Sequence, residues 1–147
     1  MFKNLFVPID GSALSERAMQ TSIALAKQLG AAITGFVVEP DAPLPTPGVQ
    51  MSQYERSTAA HLEKTDTHAR KLLTAFEARA AESGVPFTGL HANATGVDQA
   101  IVEQAESAGC DMIVMVTHGR GTFGELLFGS HTKTVLSHSK LPLLVLH

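Results

Sequence analysis

Short apolar runs alternate with amphipathic stretches along the whole chain. Leu5, Phe6, Val7 and Ile9 predict a first strand, ended by Asp10-Gly11. Ser12 is suited to cap a helix in which Leu14, Ala18, Thr21, Leu25 and Leu29 recur at helical spacing before Gly30. Ala31 to Val38 predict a second strand around Ile33, Phe36, Val37 and Val38. Met51, Tyr54, Thr58, Leu62, Thr65, Ala69, Leu72, Phe76 and Ala80 then alternate by threes and fours up to Gly84. A helix of that length spans roughly 45 Å, more than a small domain needs. Its first turns are therefore expected to project, fray or pack on a partner subunit. Val85 to Leu90 predict a third strand. Thr95 with Asp98 reads as a capping box for a helix carrying Val97, Ala100, Ile101, Ala105 and Ala108, closed by Gly109. Met112 to Val116 are all apolar, as in a strand buried on both faces. A last helix is expected from about Ser130 to His138, and a last strand from Leu141 to Leu146.

Strands that alternate with helices imply an α/β fold: right-handed crossovers and a mainly parallel sheet with helices on both faces. One domain over 1–147 is expected, with no internal repeat. The irregular segment is Glu39 to Val49, which holds Pro40, Pro43, Pro45 and Pro47. Proline fixes φ and removes a donor, so this segment is loop. It follows the second strand, so it is either a lid over a ligand or a spacer leading to the long helix.

Composition narrows the function. Hydrophobic content of 44% and charged content of 17% are those of a soluble globular protein. A net charge of −3 supplies no electrostatic reason to bind nucleic acid or an anionic membrane. The apolar run before Asp10 is too short for a signal-peptide core, and no run approaches the ~20 residues of a membrane span. A cytoplasmic location is expected by default. The single cysteine, Cys110, has no intrachain partner for a disulfide, and it lies between Gly109 and a buried strand, where packing is the expected role.

The chemistry concentrates after Val116. Thr117, His118, Gly119, Arg120 and Gly121 are followed by Gly124 and then by Gly129-Ser130. A strand, a glycine loop and a helix N-terminus together suit an anion. The first N–H groups of a helix lack intrahelical partners, the dipole favours negative charge, and glycine lets backbone approach a ligand. The Walker A pattern fails because no glycine precedes Lys133. Gly119, Gly121 and Gly124 spell G-x-G-x-x-G, but after the fourth strand and with no Asp or Glu from Ser137 to His147 to hold a ribose.

A third pattern fits better. Nine residues separate Gly119 from Gly129-Ser130. This resembles the universal stress protein family, whose ATP-binding members carry G-x-x-G, nine residues, then G-[ST]. The resemblance also covers Val7-Pro8-Ile9-Asp10-Gly11-Ser12 and Ser139-Lys140-Leu141-Pro142-Leu143-Leu144-Val145. One position departs from the pattern: the first motif glycine falls on Val116. The resemblance implies a Rossmann-like five-stranded parallel sheet of order 3-2-1-4-5. In such a sheet ligands bind beyond the strand carboxyl ends where the order reverses, here between strands one and four. Asp10 and Gly119 both fall there.

The resemblance assigns roles that each stand beside a plainer one. Asp10 binds the adenosine part of a nucleotide, or it is a turn residue bonded to its own backbone. Gly119 and Gly129 admit phosphates, or are turn glycines. Ser130 donates to a phosphate oxygen and also starts a helix, while His131 and Thr132 offer backbone N–H groups to the same phosphate. Val37 lines the adenine pocket, or is core. Arg120 is near enough to assist a phosphate or is a loop charge facing solvent, and the solvent reading is preferred. At Val116 a branched side chain replaces glycine; the pocket survives if it points into the sheet and narrows if it points at the ribose.

Metal and nucleophile chemistry fit less well. His61 and His68, like His131 and His138, are seven apart, which separates each pair by roughly 10 Å on a helix. Ser130 and His131 are neighbours and point in different directions.

Three functions follow in order. The first is a stress-response sensor or regulator that binds ATP, with or without Mg²⁺, or a related adenine nucleotide, and is not an enzyme. The second is a family member that binds no nucleotide and acts through dimerisation and protein partners. The third is a slow ATPase or nucleotidyl-type transferase, disfavoured because Asp10 is the one carboxylate placed near the site. Acidic residues brought in from Glu39–Asp41 would change that order. The family resemblance also implies a homodimer through Leu141–Leu146, which would cover an apolar edge strand.

Overall fold

The computed structural model describes residues 1–117 and 130–147. Five strands, β1 (Asn4–Ile9), β2 (Ala32–Glu39), β3 (Phe87–Asn93), β4 (Met112–Val116) and β5 (Leu143–Leu146), form one sheet in the order β3-β2-β1-β4-β5. Every neighbouring pair is parallel. Four helices connect them: α1 (Ala13–Leu29), α2 (Met51–Glu82), α3 (Val97–Ser107) and α4 (Ser130–His138). The expected fold class and strand order are therefore present.

Strand alternation divides the core between the two faces. Leu5, Val7, Ile9, Ile33, Val37 and Val114 point to one face, under Ile23 of α1 and Leu73 and Phe76 of α2. Phe6, Phe36, Ile113 and Met115 point to the other, under Ile101 and Ala105 of α3 and Val135 of α4. Sequence positions one apart thus serve separate cores. Cys110 belongs to the second core, and burial, joined by the nearby Asp111 carboxylate, pushes its thiol up, as a packing role requires.

The long helix behaves as its length demands. Its buried residues are Thr65, Ala69, Leu73, Phe76 and Ala80, so the turns from Met51 to Lys64 cover no core. The second half packs closely enough that Gly35 of β2 lies against the tilted ring pair Phe76–Phe87, whose centroids are 4.9 Å apart.

Two local expectations are corrected. The third strand begins and ends later than Val85–Leu90, at Phe87–Asn93, because its pairing with β2 runs from Ile33–Phe87 to Glu39–Asn93. The capping box at Thr95 and Asp98 does not form. Gly96 is the N-cap of α3 and makes no side-chain cap bond. The Thr95 hydroxyl instead donates to Asp41 at 2.8 Å, and Asp98 turns to α4. Partners 54 and 33 residues away displace the local bond.

Candidate functional site

Beyond the carboxyl ends of β1 and β4 lies a crevice of about 220 Å³. Ile9, Asp10, Leu14 and Ala18 form one side, Val38, Val97, Ile101 and Met115 the other, with Val116, Thr117, His131 and Thr132 also in its walls. The strand order reverses between β1 and β4, which leaves a gap between the chain segments leaving them in opposite directions.

Asp10 is built into a closed turn. Its backbone N–H and that of Gly11 donate to Ser15 Oγ at 2.8 and 3.0 Å. Ser15 Oγ in turn donates to Asp10 Oδ1 at 2.9 Å, and the Ser12 N–H donates to the same oxygen at 2.9 Å. Ser12 occupies the N-cap of α1 without a side-chain cap bond. Gly11 takes a φ of 85°, and a Cβ there would lie 3.3 Å from Leu72, so the turn needs glycine. Burial pushes the Asp10 carboxyl up, but hydrogen bonds from Ser12 and Ser15 outweigh it and leave it below the usual carboxylate range. The turn role and the crevice position hold for the same residue.

The expected site residues do not all reach the crevice. Asp10, His131 and Thr132 line it, and Ser130 opens α4 beside it. Gly119, Gly129 and Arg120 lie outside the described residues. Val37 is corrected: its side chain is 1% exposed and sits in the core under α1 and α2. The neighbouring Val38 lines the crevice instead, because successive strand residues point to opposite faces. Val116 both packs against the α1-side core and forms part of the crevice wall.

The proline-rich loop takes no part in the crevice wall. No residue from 40 to 50 lines the crevice among the described residues. Its base is strapped down, with the Pro40 carbonyl accepting from Asn93 at 3.1 Å and meeting His61 Nε2 at 2.8 Å. Glu39 is engaged by His68, and Asp41 by Thr95, so the crevice receives neither carboxylate.

Sequence reasoning missed one pair at the crevice. His131 Nδ1 lies 2.5 Å from Asp98 Oδ1 and joins the first turns of α4 and α3. The signal was divided between a residue assigned to a cap and another assigned through its backbone. Among the described residues, no group of three metal-ligating side chains occurs, and no helix is long and apolar enough to cross a membrane.

Known proteins share this fold. A universal stress protein of Bacillus subtilis, YxiE, is 27% identical over 147 residues, 99% of each chain. A universal stress protein solved in complex with cAMP superposes with a TM-score of 0.71 at 21% identity, covering 99% of this chain and 97% of that one. One from Archaeoglobus fulgidus, in complex with dAMP, superposes with a TM-score of 0.67 at 13% identity, covering 100% and 98%. The profile of the universal stress protein family matches residues 1–147, the whole chain. Its fold, its motifs and this match agree: the chain belongs to the universal stress protein family.

Proposed function

We propose that this chain binds an adenine nucleotide in the crevice and acts as a stress-response sensor or regulator in the cytoplasm, without turnover. The observation that carries this is convergence: Asp10 from the end of β1 and His131 and Thr132 from the first turn of α4 line one crevice at the switch point. Thr132 is 2% exposed and lines the crevice. The crevice is smaller than the ~300–1,000 Å³ of sites that enclose a drug-sized ligand. A nucleotide would therefore keep its base and sugar inside and its phosphates over the N–H groups of α4. The cAMP and dAMP complexes of structural neighbours support the adenine class. ATP, with or without Mg²⁺, belongs to the same class. Asp10 is the one carboxylate among the described lining residues, and Asp98 is engaged by His131, which favours binding over catalysis.

The protein denatured after purification should release adenine nucleotide, and calorimetry should give micromolar binding of AMP or ATP. Thr132→Val should weaken that binding by about tenfold. No released nucleotide and no heat at millimolar AMP or ATP would overturn this reading.

Val116 favours a second reading, in which the crevice takes no nucleotide and the protein acts as a dimer through partner contacts. A homodimer is part of both readings. Strand β5 lies at the sheet edge with all four residues only half-buried, so a second copy pairing there would cover them.

A further inference from the structure

The Asp98–His131 pair has a consequence for ligand choice. Asp98 lies in the first turn of α3, where the helix dipole favours its negative charge. Its side chain is 22% exposed and that of His131 is 62% exposed. An ionised carboxylate only accepts hydrogen bonds, so Nδ1 of His131 carries the proton between them. Nε2 lies on the far edge of the ring and has no hydrogen bond to a described residue. In the neutral ring Nε2 is an acceptor, and a phosphate oxygen beside it is also an acceptor. Only a proton at Nε2 makes that contact favourable, and it then becomes a charge-assisted bond. Among the described residues, the titratable and charged groups on the elements that meet there are Asp98 of α3, Asp10 of the β1–α1 turn, and Lys133 and His138 further along α4. His138 Nδ1 is turned back to the Thr134 carbonyl.

We propose that Asp98 is a positioning residue that holds His131 with Nε2 free to take up a proton when an anionic ligand group arrives over the first turn of α4. The crevice then distinguishes phosphorylated from unphosphorylated nucleosides through this side chain as well as through backbone N–H groups. This rests on the crevice being the nucleotide site.

The test is calorimetry of cAMP and adenosine in two buffers of unlike ionisation enthalpy, which reads affinity and protons bound together. The phosphodiester of cAMP carries one charge that does not titrate near neutrality, so any proton taken up belongs to the protein. The wild-type chain should prefer cAMP to adenosine by about tenfold, with net proton uptake. His131→Ala should abolish the uptake and reduce the preference for cAMP. Asp98→Asn should reduce both, and Asp98→Glu should restore them, a rescue that a purely structural role for Asp98 would not link to proton uptake. Binding of cAMP without proton uptake, or uptake unchanged in His131→Ala, overturns the proposal and leaves the nucleotide site standing. If neither ligand binds, the nucleotide site and the proposal fall together.

Discussion

Ser15 Oγ donates to Asp10 Oδ1 at 2.9 Å while accepting the backbone N–H groups of Asp10 and Gly11. One buried hydroxyl thus shapes the turn that carries the crevice carboxylate. Ser15→Ala leaves two backbone donors without that partner and should cost about 1–3 kcal/mol in urea denaturation. It should also change the acid limb of stability. The folded Asp10 carboxyl lies below its ordinary value, which is about 3.9 in an unfolded chain. Its contribution is therefore present above that value and lost as pH falls through the lower folded value. Removing Ser15 raises the folded value, so the contribution becomes smaller and disappears at less acid pH. An NMR titration of the Asp10 carboxyl that shows no upward movement would sink this account.

Gly35 has no room for a side chain. A Cβ there would lie 2.6 Å from the Phe87 ring and 3.0 Å from Phe76. Gly35→Ala should destabilise the fold by about 1–3 kcal/mol through forced movement of the ring pair. An unchanged melting temperature would show that the pair yields freely.

Val116→Gly restores the family pattern and removes part of the crevice wall. Nucleotide affinity should rise several-fold, against a loss of roughly 2 kcal/mol in stability from the missing side chain and the looser strand. Calorimetry beside a thermal melt separates the two effects. Weaker binding would mean that the valine is a contact and not an obstruction.

The open edge of β5 can be closed without touching the β4–β5 ladder. The Pro142 and Leu146 carbonyls accept from Ile113 and Thr117 at 2.9 and 2.8 Å, so residues 142, 144 and 146 face β4. Leu143 and Val145 then direct their backbone groups to the free edge. Val145→Pro removes one outward N–H and should convert a dimer to a monomer in light scattering, with the fold retained. A dimer that survives this substitution would place the subunit contact elsewhere.

Periodicity along the chain was enough for most of the architecture. Period-two and period-3.6 patterns are local properties, so β4, α4 and the long α2 lie where the hydrophobic residues place them. Asp10 was legible for the same reason: an acidic residue that ends a buried strand just before glycine and a helix cap has few places to go. The family spacing added the strand order and so the switch point. Side-chain partners were another matter. Asp98 meets His131 across 33 residues, Thr95 meets Asp41 across 54, and His68 meets Glu39 across 29. A local capping pattern at Thr95–Asp98 scored well and lost, because the folded sheet brought a better partner to each residue. Val37 and Val38 differ by one step along β2, and only the way the sheet faces its helices decides which of them reaches the crevice. The chain by itself determined the elements, their order and the edge at which a ligand would sit. The tertiary structure decided which side chains stand there, because those pairings depend on distances between elements that no local pattern records.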